Sequence, residues 1–281
     1  MRDCGYSLKK KGYTIKVLNL DEKSKSNHYN PFIYIKELPN FDKILNDDKN
    51  PNHQIQEDDV MTLINTLMLN TKSETIETTN GDPFWDRAEM IYLQALFYYT
   101  IRHYDKRHQN FTTILNLIRL SNPDSTGVSP LDKLFDNWAK VEPDAIGVKQ
   151  YKHFKVAASA PKMMSTIIMV ATARLAAFNI KEIAELTDTD DMELERIGMP
   201  IDDSSPLLKQ INETSSKHVG NGKIAYFIIT KPSDSTFNFL ASLFYTQVFA
   251  MIDENAKKCG GTLATPLEIY MDEWAQLRRD T

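Results

Sequence analysis

The run Leu267-Glu-Ile-Tyr-Met-Asp272-Glu273 closes an apolar stretch on two adjacent carboxylates. Two acids at the carboxyl end of a parallel strand have a use in nucleotide hydrolysis. The first, Asp272, would help hold Mg²⁺, and the second, Glu273, would orient or deprotonate the attacking water. The same pattern also serves as a plain solvated turn, so the pair needs its surroundings before it carries a reaction. Two further groups of charges have usable spacing. Lys149, Lys152, Lys155 and Lys162 recur about one helical turn apart, a stripe that could meet phosphates or an acidic partner, or stand as an exposed helix face. Asp188, Asp190, Asp191, Glu193 and Glu195 form an acidic run that could take a cation or a basic substrate tail, or complement a helix N-terminus. The basic cluster Arg102 to His108 admits the same two readings. The six histidines show no metal-ligand spacing, and Cys4 and Cys259 are too few and too isolated for a metal site or a disulfide framework.

The other half of a nucleotide site is not found. No G-x-x-x-x-G-K-[ST] occurs among the ten glycines. Gly220-Asn-Gly-Lys223 is superficially similar, yet it opens a strand, whereas a helix N-terminus is what presents backbone amides to phosphate. It reads as a turn.

Three short apolar runs bounded by breakers read as the strands that would position these acids: 14–20, 224–230 and 267–272. The second is apolar almost throughout, as in a strand buried on both faces of a parallel sheet. A helical pattern at 235–257, capped by Asp234 or Ser235, lies between the second and third strands, and the three together predict a βαβ unit. From Asp58 to Ile197 the spacing predicts helices only, at 58–70, from Pro83 after the cap Asp82, at 111–121, 130–141, 145–158 and 163–178. The last is apolar on nearly all sides, which predicts burial all round. Met163, Met164 and Met169 read as core filling, and Trp85, Trp138 and Trp274 as packing anchors.

Length and composition agree with such an arrangement. At roughly 150 residues per domain, 281 residues suggest two domains. With 42% hydrophobic and 25% charged residues, wholesale disorder and fibrous repeats are excluded. The net charge of −5 excludes a chain that is basic throughout and coats nucleic acid. Residues 58–197 hold 15 basic and 20 acidic residues, so this block carries the whole negative excess. The expected organisation is therefore α/β with a large all-α insertion: 58–197 helical, inserted into an α/β domain built from 1–57 and 198–281. No run of 18 apolar residues spans a membrane and no signal peptide opens the chain, so the polypeptide reads as soluble.

Several separated segments carry a resemblance to a known family, the TraG/TraD-like type IV secretion coupling proteins of conjugative plasmids and transposons. They are Lys11-Gly-Tyr-Thr-Ile-Lys-Val-Leu-Asn-Leu20 with Tyr29-Asn-Pro-Phe32, Asp82-Pro-Phe-Trp-Asp-Arg-Ala88, Leu186 to Gly198, Lys223 to Thr230, Asp234 to Leu240 and Met271 to Leu277. The resemblance covers nearly the whole chain in order. It implies a partial RecA-like nucleotide-binding domain plus a helical all-α domain, with Met271-Asp-Glu-Trp as the Walker B stretch. It implies ATP and Mg²⁺ as cofactors of a membrane-anchored hexamer on the cytoplasmic face. It implies relaxase and relaxosome proteins, single-stranded DNA and type IV secretion channel components as partners. It makes Asp272 the metal residue and Glu273 the catalytic residue, while Lys149, Lys152, Lys155, Asp188, Asp190 and Asp191 are candidates for substrate contact from their spacing and charge. Because the family's phosphate loop and membrane helices lie upstream of the matching segments, the chain is expected to be an internal fragment that binds no nucleotide tightly. A stand-alone helical substrate receptor is the alternative. A chromosome-partitioning translocase related to FtsK predicts no helical insertion at this position and fits less well.

Overall fold

Gly12 is where the first helix gives way to the first strand. In the computed structural model, which describes residues 2–36, 57–71, 83–125, 127–214, 218–231 and 236–271, helix α1 (Arg2–Lys10) ends at Lys10 and Gly12 takes φ +82. That left-handed value is open to glycine at no steric cost. Strand β1 (Thr14–Asn19) follows and pairs in parallel with β2 (Ile224–Ile229), in register from Thr14↔Ile224 to Asn19↔Ile229. Among the described residues these two strands make up the sheet. The helices, in chain order, are α2 (Glu57–Asn70), α3 (Pro83–His103), α4 (Phe111–Arg119), α5 (Pro130–Val141), α6 (Ile146–Ala157), α7 (Pro161–Arg174), α8 (Lys181–Asp188), α9 (Pro206–Thr214) and α10 (Asn238–Lys258). The described protein is thus mostly helical, with one small parallel sheet. No helix among the described residues is long and apolar enough to cross a membrane.

The chain forms two compact units, Met1–Tyr29 with Asp190–Thr281, and Asn30–Thr189. The limits fall at 29/30 and 189/190, where the hydrophobic and charge patterns put them at 57/58 and 197/198. Phe32 explains one end: it stacks on Phe97 of α3 at 5.0 Å and meets Phe111 of α4 edge-on at 5.2 Å, so the Asn-Pro turn belongs to the helices. The acidic residues after Thr189 explain the other, because they bond to β1.

In the sheet unit, α10 buries Phe239, Leu240, Leu243, Phe244, Val248 and Met251 at helical spacing. Phe244 meets the rings of Tyr29 and Tyr226 edge-on at 5.3 and 6.0 Å. A smaller core gathers Met199, Leu208, Ile211 and Val219 beneath α9. The helix α9 follows Ser205-Pro206, a start signal of the same kind as Ser129-Pro130. Gly222 sits so close to the Met199 carbonyl that an added Cβ would stand 2.0 Å from its oxygen, and Gly222 leads within two residues into β2. The segment 220–223 is therefore a turn packed on backbone.

Two strand expectations change. The run 267–271 forms no strand; Leu267, Ile269 and Tyr270 are exposed, Tyr270 by 86%. A strand exists by the ladder it makes with a neighbour, and among the described residues the sheet offers no third position. The βαβ unit accordingly ends at α10, and Asp234 and Ser235, the expected caps, lie outside the described residues. Residues 224–229 are half-exposed along their whole length, because a two-stranded sheet cannot enclose a strand on both sides.

In the helical unit, α3 is the element buried all round. Every residue from Tyr92 to Thr100 is buried, and α3 packs against α2, α4, α6 and α7. Tyr92 lies 4.5 Å from Phe154 of α6, and Gly147 lets α6 approach: a Cβ there would stand 2.5 Å from the Trp138 ring and 2.9 Å from the Cβ of Tyr98. The helix starts are chemically specified. Asn110 caps α4 through Thr113 N, and Ser129 with Asp132 forms a reciprocal capping box on α5 behind Pro130. Asp82, the expected cap of α3, lies outside the described residues. The expectation that 163–178 is buried all round is corrected: α7 buries only Ile167 and Ala171, and Met169 is 60% exposed. The helix lies at the periphery and offers α3 one narrow stripe.

One buried charge pair ties three helices. Arg174 of α7 reaches both oxygens of Glu89 in α3, at 2.6 and 2.7 Å, and also donates to Met68 O and Thr71 Oγ1 at the end of α2. Glu89 is 1% exposed. Removing one member of such a pair leaves an uncompensated buried charge and costs about 3–5 kcal/mol, whereas replacing both with apolar groups of like volume is far milder. Arg174→Met is expected to lower stability by that amount, and Glu89→Gln with Arg174→Met to recover most of it, as read by urea unfolding. Equal losses in the single and double variants would show that the pair is not coupled. Residues 30–189, with a core of this size, are expected to give a helical circular dichroism spectrum and a cooperative melt when expressed alone; a disordered spectrum would contradict this.

Candidate functional site

The sequence puts a lysine in the middle of an apolar strand, and its burial decides much of what surrounds it. Lys16 of β1 is 8% exposed. A buried ammonium needs partners, and Lys16 Nζ finds the backbone oxygen of Asp191 and the Oε1 of Glu193, the latter at 3.2 Å. Glu193 is the one non-glycine residue with positive φ among the described residues, at +56. Tyr226 of β2 donates to its carbonyl at 2.9 Å, and Arg196 holds its other carboxylate oxygen at 2.6 Å. Arg196 in turn donates to Asn221 O at 2.8 Å and to Thr14 Oγ1 at 3.2 Å. The returning segment 191–196 is therefore bolted to β1, β2 and the turn before β2. Asn255 of α10, fully buried, adds bonds to the carbonyls of Glu195 and Ile197.

Asp191 clamps the outgoing segment to the returning one within the sheet unit. Its carboxylate accepts from Asn27 Nδ2 at 3.1 Å and from His28 N at 2.8 Å, while its own N–H donates to His28 O at 3.1 Å. Asp190 lies near enough to Tyr29 for its charge, after burial, to help push the phenol well above its usual range; Tyr29 donates to Gln247 at 2.6 Å. On the helical side, Asn30 is fully buried and donates to Gln109 O at 2.9 Å and Asp188 O at 3.2 Å, while its own oxygen accepts from Phe32 N. Asn110 donates to the Asp188 carboxylate at 2.6 Å. The acidic run is thus shared out: Asp188 fastens the helical unit, and Asp190 and Asp191 belong to the sheet unit.

The lysine stripe is also divided. Lys155 is bound to Asp132 of α5 at 2.9 Å, beside the Tyr151 hydroxyl at 2.9 Å. Burial works against ionisation of Asp132, but its bonds from Lys155 and Ser129 prevail and hold the carboxyl below its ordinary range. Lys149 pairs with Asp144 in a solvent-exposed contact at 3.2 Å, and Lys152 stands exposed. Asp272 and Glu273 lie outside the described residues. Among the described residues no group of His, Cys, Asp and Glu could hold a metal ion. The network that sequence reasoning missed is Lys16–Glu193–Arg196. Its signal was present in Lys16, a charge placed among Ile15, Val17 and Leu18, which requires an anion from elsewhere in the chain.

The electrostatics of Glu193 yield a pH dependence. Burial would raise its carboxyl pKa, yet the hydrogen bonds and charges of Arg196 and Lys16 hold it below the usual carboxylate value. A depressed carboxylate contributes stability above its unfolded pKa and loses it as pH falls through the folded one. Stability of the protein is expected to decline as pH drops below about 4.3, with a shallower decline in Glu193→Gln. Identical acid profiles for the two proteins, measured by unfolding between neutral and acid pH, would contradict this. Asp191→Ala, which removes the acceptor of Asn27 Nδ2 and His28 N–H at a half-exposed site, is expected to cost about 0.5–1.5 kcal/mol at neutral pH.

Compared with curated proteins, the sequence gives no match. It does match a family profile, described as type IV secretory system conjugative DNA transfer, over residues 3–203 of the 281. That span starts in α1, takes in β1 and every helix of the Asn30–Thr189 unit, and ends beyond the Lys16–Glu193–Arg196 network. The chain belongs to the type IV secretory system conjugative DNA transfer family.

Proposed function

We propose that this chain is the cytoplasmic part of a type IV coupling protein: a partial RecA-like ATPase domain interrupted by an inserted all-α domain that receives substrate. The observation that carries the proposal is the family match over 3–203. The parallel pairing of β1 with β2, with the whole helical unit in the crossover between them, supports it. In this reading the inserted domain, expected at 58–197, recruits relaxase and other relaxosome proteins. Lys152 and the exposed Lys149 are its candidate contacts, since Lys155, Asp188 and Asp191 already serve internal bonds. The assembled hexamer at the cytoplasmic face of the membrane passes single-stranded DNA to the secretion channel.

ATP with Mg²⁺ supplies the driving reaction in that assembly, and Asp272 and Glu273 are the residues assigned to the metal and to the attacking water. The described residues offer no phosphate cradle: Gly222 is filled by the Met199 carbonyl and leads into a strand. No hydrolytic step is therefore assigned to them. The alternative is a helical receptor that works without ATP, and the compactness of Asn30–Thr189 as its own unit is what favours it.

Purified chain mixed with ATP and Mg²⁺ is expected to match a buffer blank, because the Lys-containing loop that holds the β- and γ-phosphates is missing from the sequence. Turnover that disappears in Glu273→Gln would refute this. In a coupling protein that carries both this sequence and a phosphate loop, Glu273→Gln is expected to reduce DNA transfer to background while nucleotide still binds. Transfer at the normal level in that variant would remove the ATPase assignment and leave the receptor reading.

A further inference from the structure

The turn Gly220-Asn221-Gly222-Lys223 holds a chemistry that the reading above leaves unused. An asparagine followed by glycine can close on itself. The main-chain nitrogen of the glycine attacks Cγ of the asparagine, and the Cγ–Nδ2 bond breaks. The side-chain nitrogen leaves as ammonia, carrying away the proton of the attacking nitrogen. The five-membered succinimide that remains adds one water at either of its carbonyls and opens to aspartate or to isoaspartate. Glycine in second place favours the closure, because it has no Cβ to obstruct the approach and reaches backbone angles closed to other residues. Asn221 and Gly222 are such a pair, and both are half-exposed to the water that the reaction needs.

Both reacting groups are tied down. Gly222 N–H donates to Pro200 O at 2.9 Å, and Gly222 lies against the Met199 carbonyl. The Asn221 amide is held at both ends: Nδ2 donates to Asp203 Oδ1 at 2.9 Å, and Oδ1 accepts from Lys223 N at 3.0 Å and from Arg196 Nη2 at 3.2 Å. Arg196 Nε also donates to the Asn221 main-chain oxygen at 2.8 Å. Glu193 positions Arg196, and Lys16 positions Glu193, so this restraint is the outer end of the network around Lys16. Two effects oppose one another. The two donors on Oδ1 draw electrons from Cγ and favour attack, but polarisation acts only on groups already within reach. Closure must first break the bonds of Gly222 N–H and of Nδ2, and each net hydrogen bond lost slows it about 2- to 10-fold. Restraint therefore prevails.

We propose that Asn221-Gly222 is a latent deamidation site, kept closed by Arg196, Asp203 and the Pro200 carbonyl, and opened when the Lys16–Glu193–Arg196 network loosens. The product reaches the sheet. An aspartate at 221 sets a carboxylate against Asp203 where Nδ2 was a donor. Isoaspartate adds a methylene to the main chain just before Lys223, whose carbonyl accepts from Thr14 N at 2.9 Å, and so displaces the first rung of the ladder with β1. The reaction needs no nucleotide, cofactor or partner, so its failure leaves the functional reading above untouched.

The test is peptide mass spectrometry of the purified 281-residue chain, kept at mildly alkaline pH either folded or in urea and digested with trypsin at intervals. Asn221 falls in the tryptic peptide 218–223, separate from Asn80-Gly81, which falls in 73–87. Conversion at Asn221 is expected to run at least about tenfold slower in the folded chain than in urea. Asp203→Ala, which frees Nδ2, is expected to speed conversion in the folded chain about 2- to 10-fold, and Arg196→Gln about tenfold. Circular dichroism verifies that each variant is folded, and Asp203, an exposed residue, keeps the test decisive where Arg196→Gln does not fold. Asn221→Asp is expected to lower the urea midpoint, and Asp203→Asn with Asn221→Asp to recover it, because a donor again faces an acceptor. The proposal is overturned by equal rates in the folded and the unfolded chain, by faster conversion in the folded one, by variants that leave the rate unchanged or lower it, or by an Asn221→Asp chain as stable as its parent.

Discussion

The parallel ladder between β1 and β2 is the constraint on which the sheet unit depends. Its partners, Thr14 with Ile224 through Asn19 with Ile229, stand 210 positions apart in the chain. A parallel pair always needs a crossover, and here the crossover contains the complete helical unit. Closing so long a loop costs only slightly more entropy than closing a short one, because the cost grows with the logarithm of length. What makes the closure tolerable is that the inserted residues have a core of their own, centred on α3. A crossover without such a core would spend its length as disordered chain beside a two-stranded sheet.

Buried charge does the fastening that so small a sheet cannot do by apolar burial alone. Lys16, in the middle of β1, draws in the 191–196 segment, and that segment brings Arg196 to the turn before β2. The left-handed backbone of Glu193 is tolerated because three partners hold the residue at once. In the helical unit Arg174 plays the matching part with Glu89 and the end of α2. Each network is costly if one member is lost. The placement of the two crossings follows from them: the chain leaves the sheet unit after the residues that Asp191 holds, and returns at Asp190, beside Asp191.

This organisation bears on conjugative DNA transfer in a particular way. Residues first seen as a run of acids turn out to be distributed between two units as structural ligands, and of the lysine stripe Lys149 and Lys155 are paired with Asp144 and Asp132 while Lys152 stands exposed. Among the described residues, Lys9, Lys10, Lys11 and Lys223 carry no carboxylate partner either, and the last is brought to the α1 turn from far along the sequence.

The sequence alone determined the elements with strong local signals. Helices α2, α5 and α6 were legible from periodicity, β1 and β2 from short β-branched runs beside Gly12 and Gly222, and the family from scattered segments, of which those between residues 11 and 198 fall within the matched span. Local pattern reports what a segment can form. It does not report what lies next to it. For that reason α7, more apolar than its surroundings require, was expected inside and proved peripheral, while α3, carrying Glu89, Gln94 and Thr100, proved to be the core. The run 267–271 has the composition of a strand and no neighbour among the described residues to make it one. Lys16 and Glu193 were both visible, but only the folded chain brings residues so distant within 3.2 Å, because burial of a charge is settled by which opposite charge the tertiary structure delivers to it.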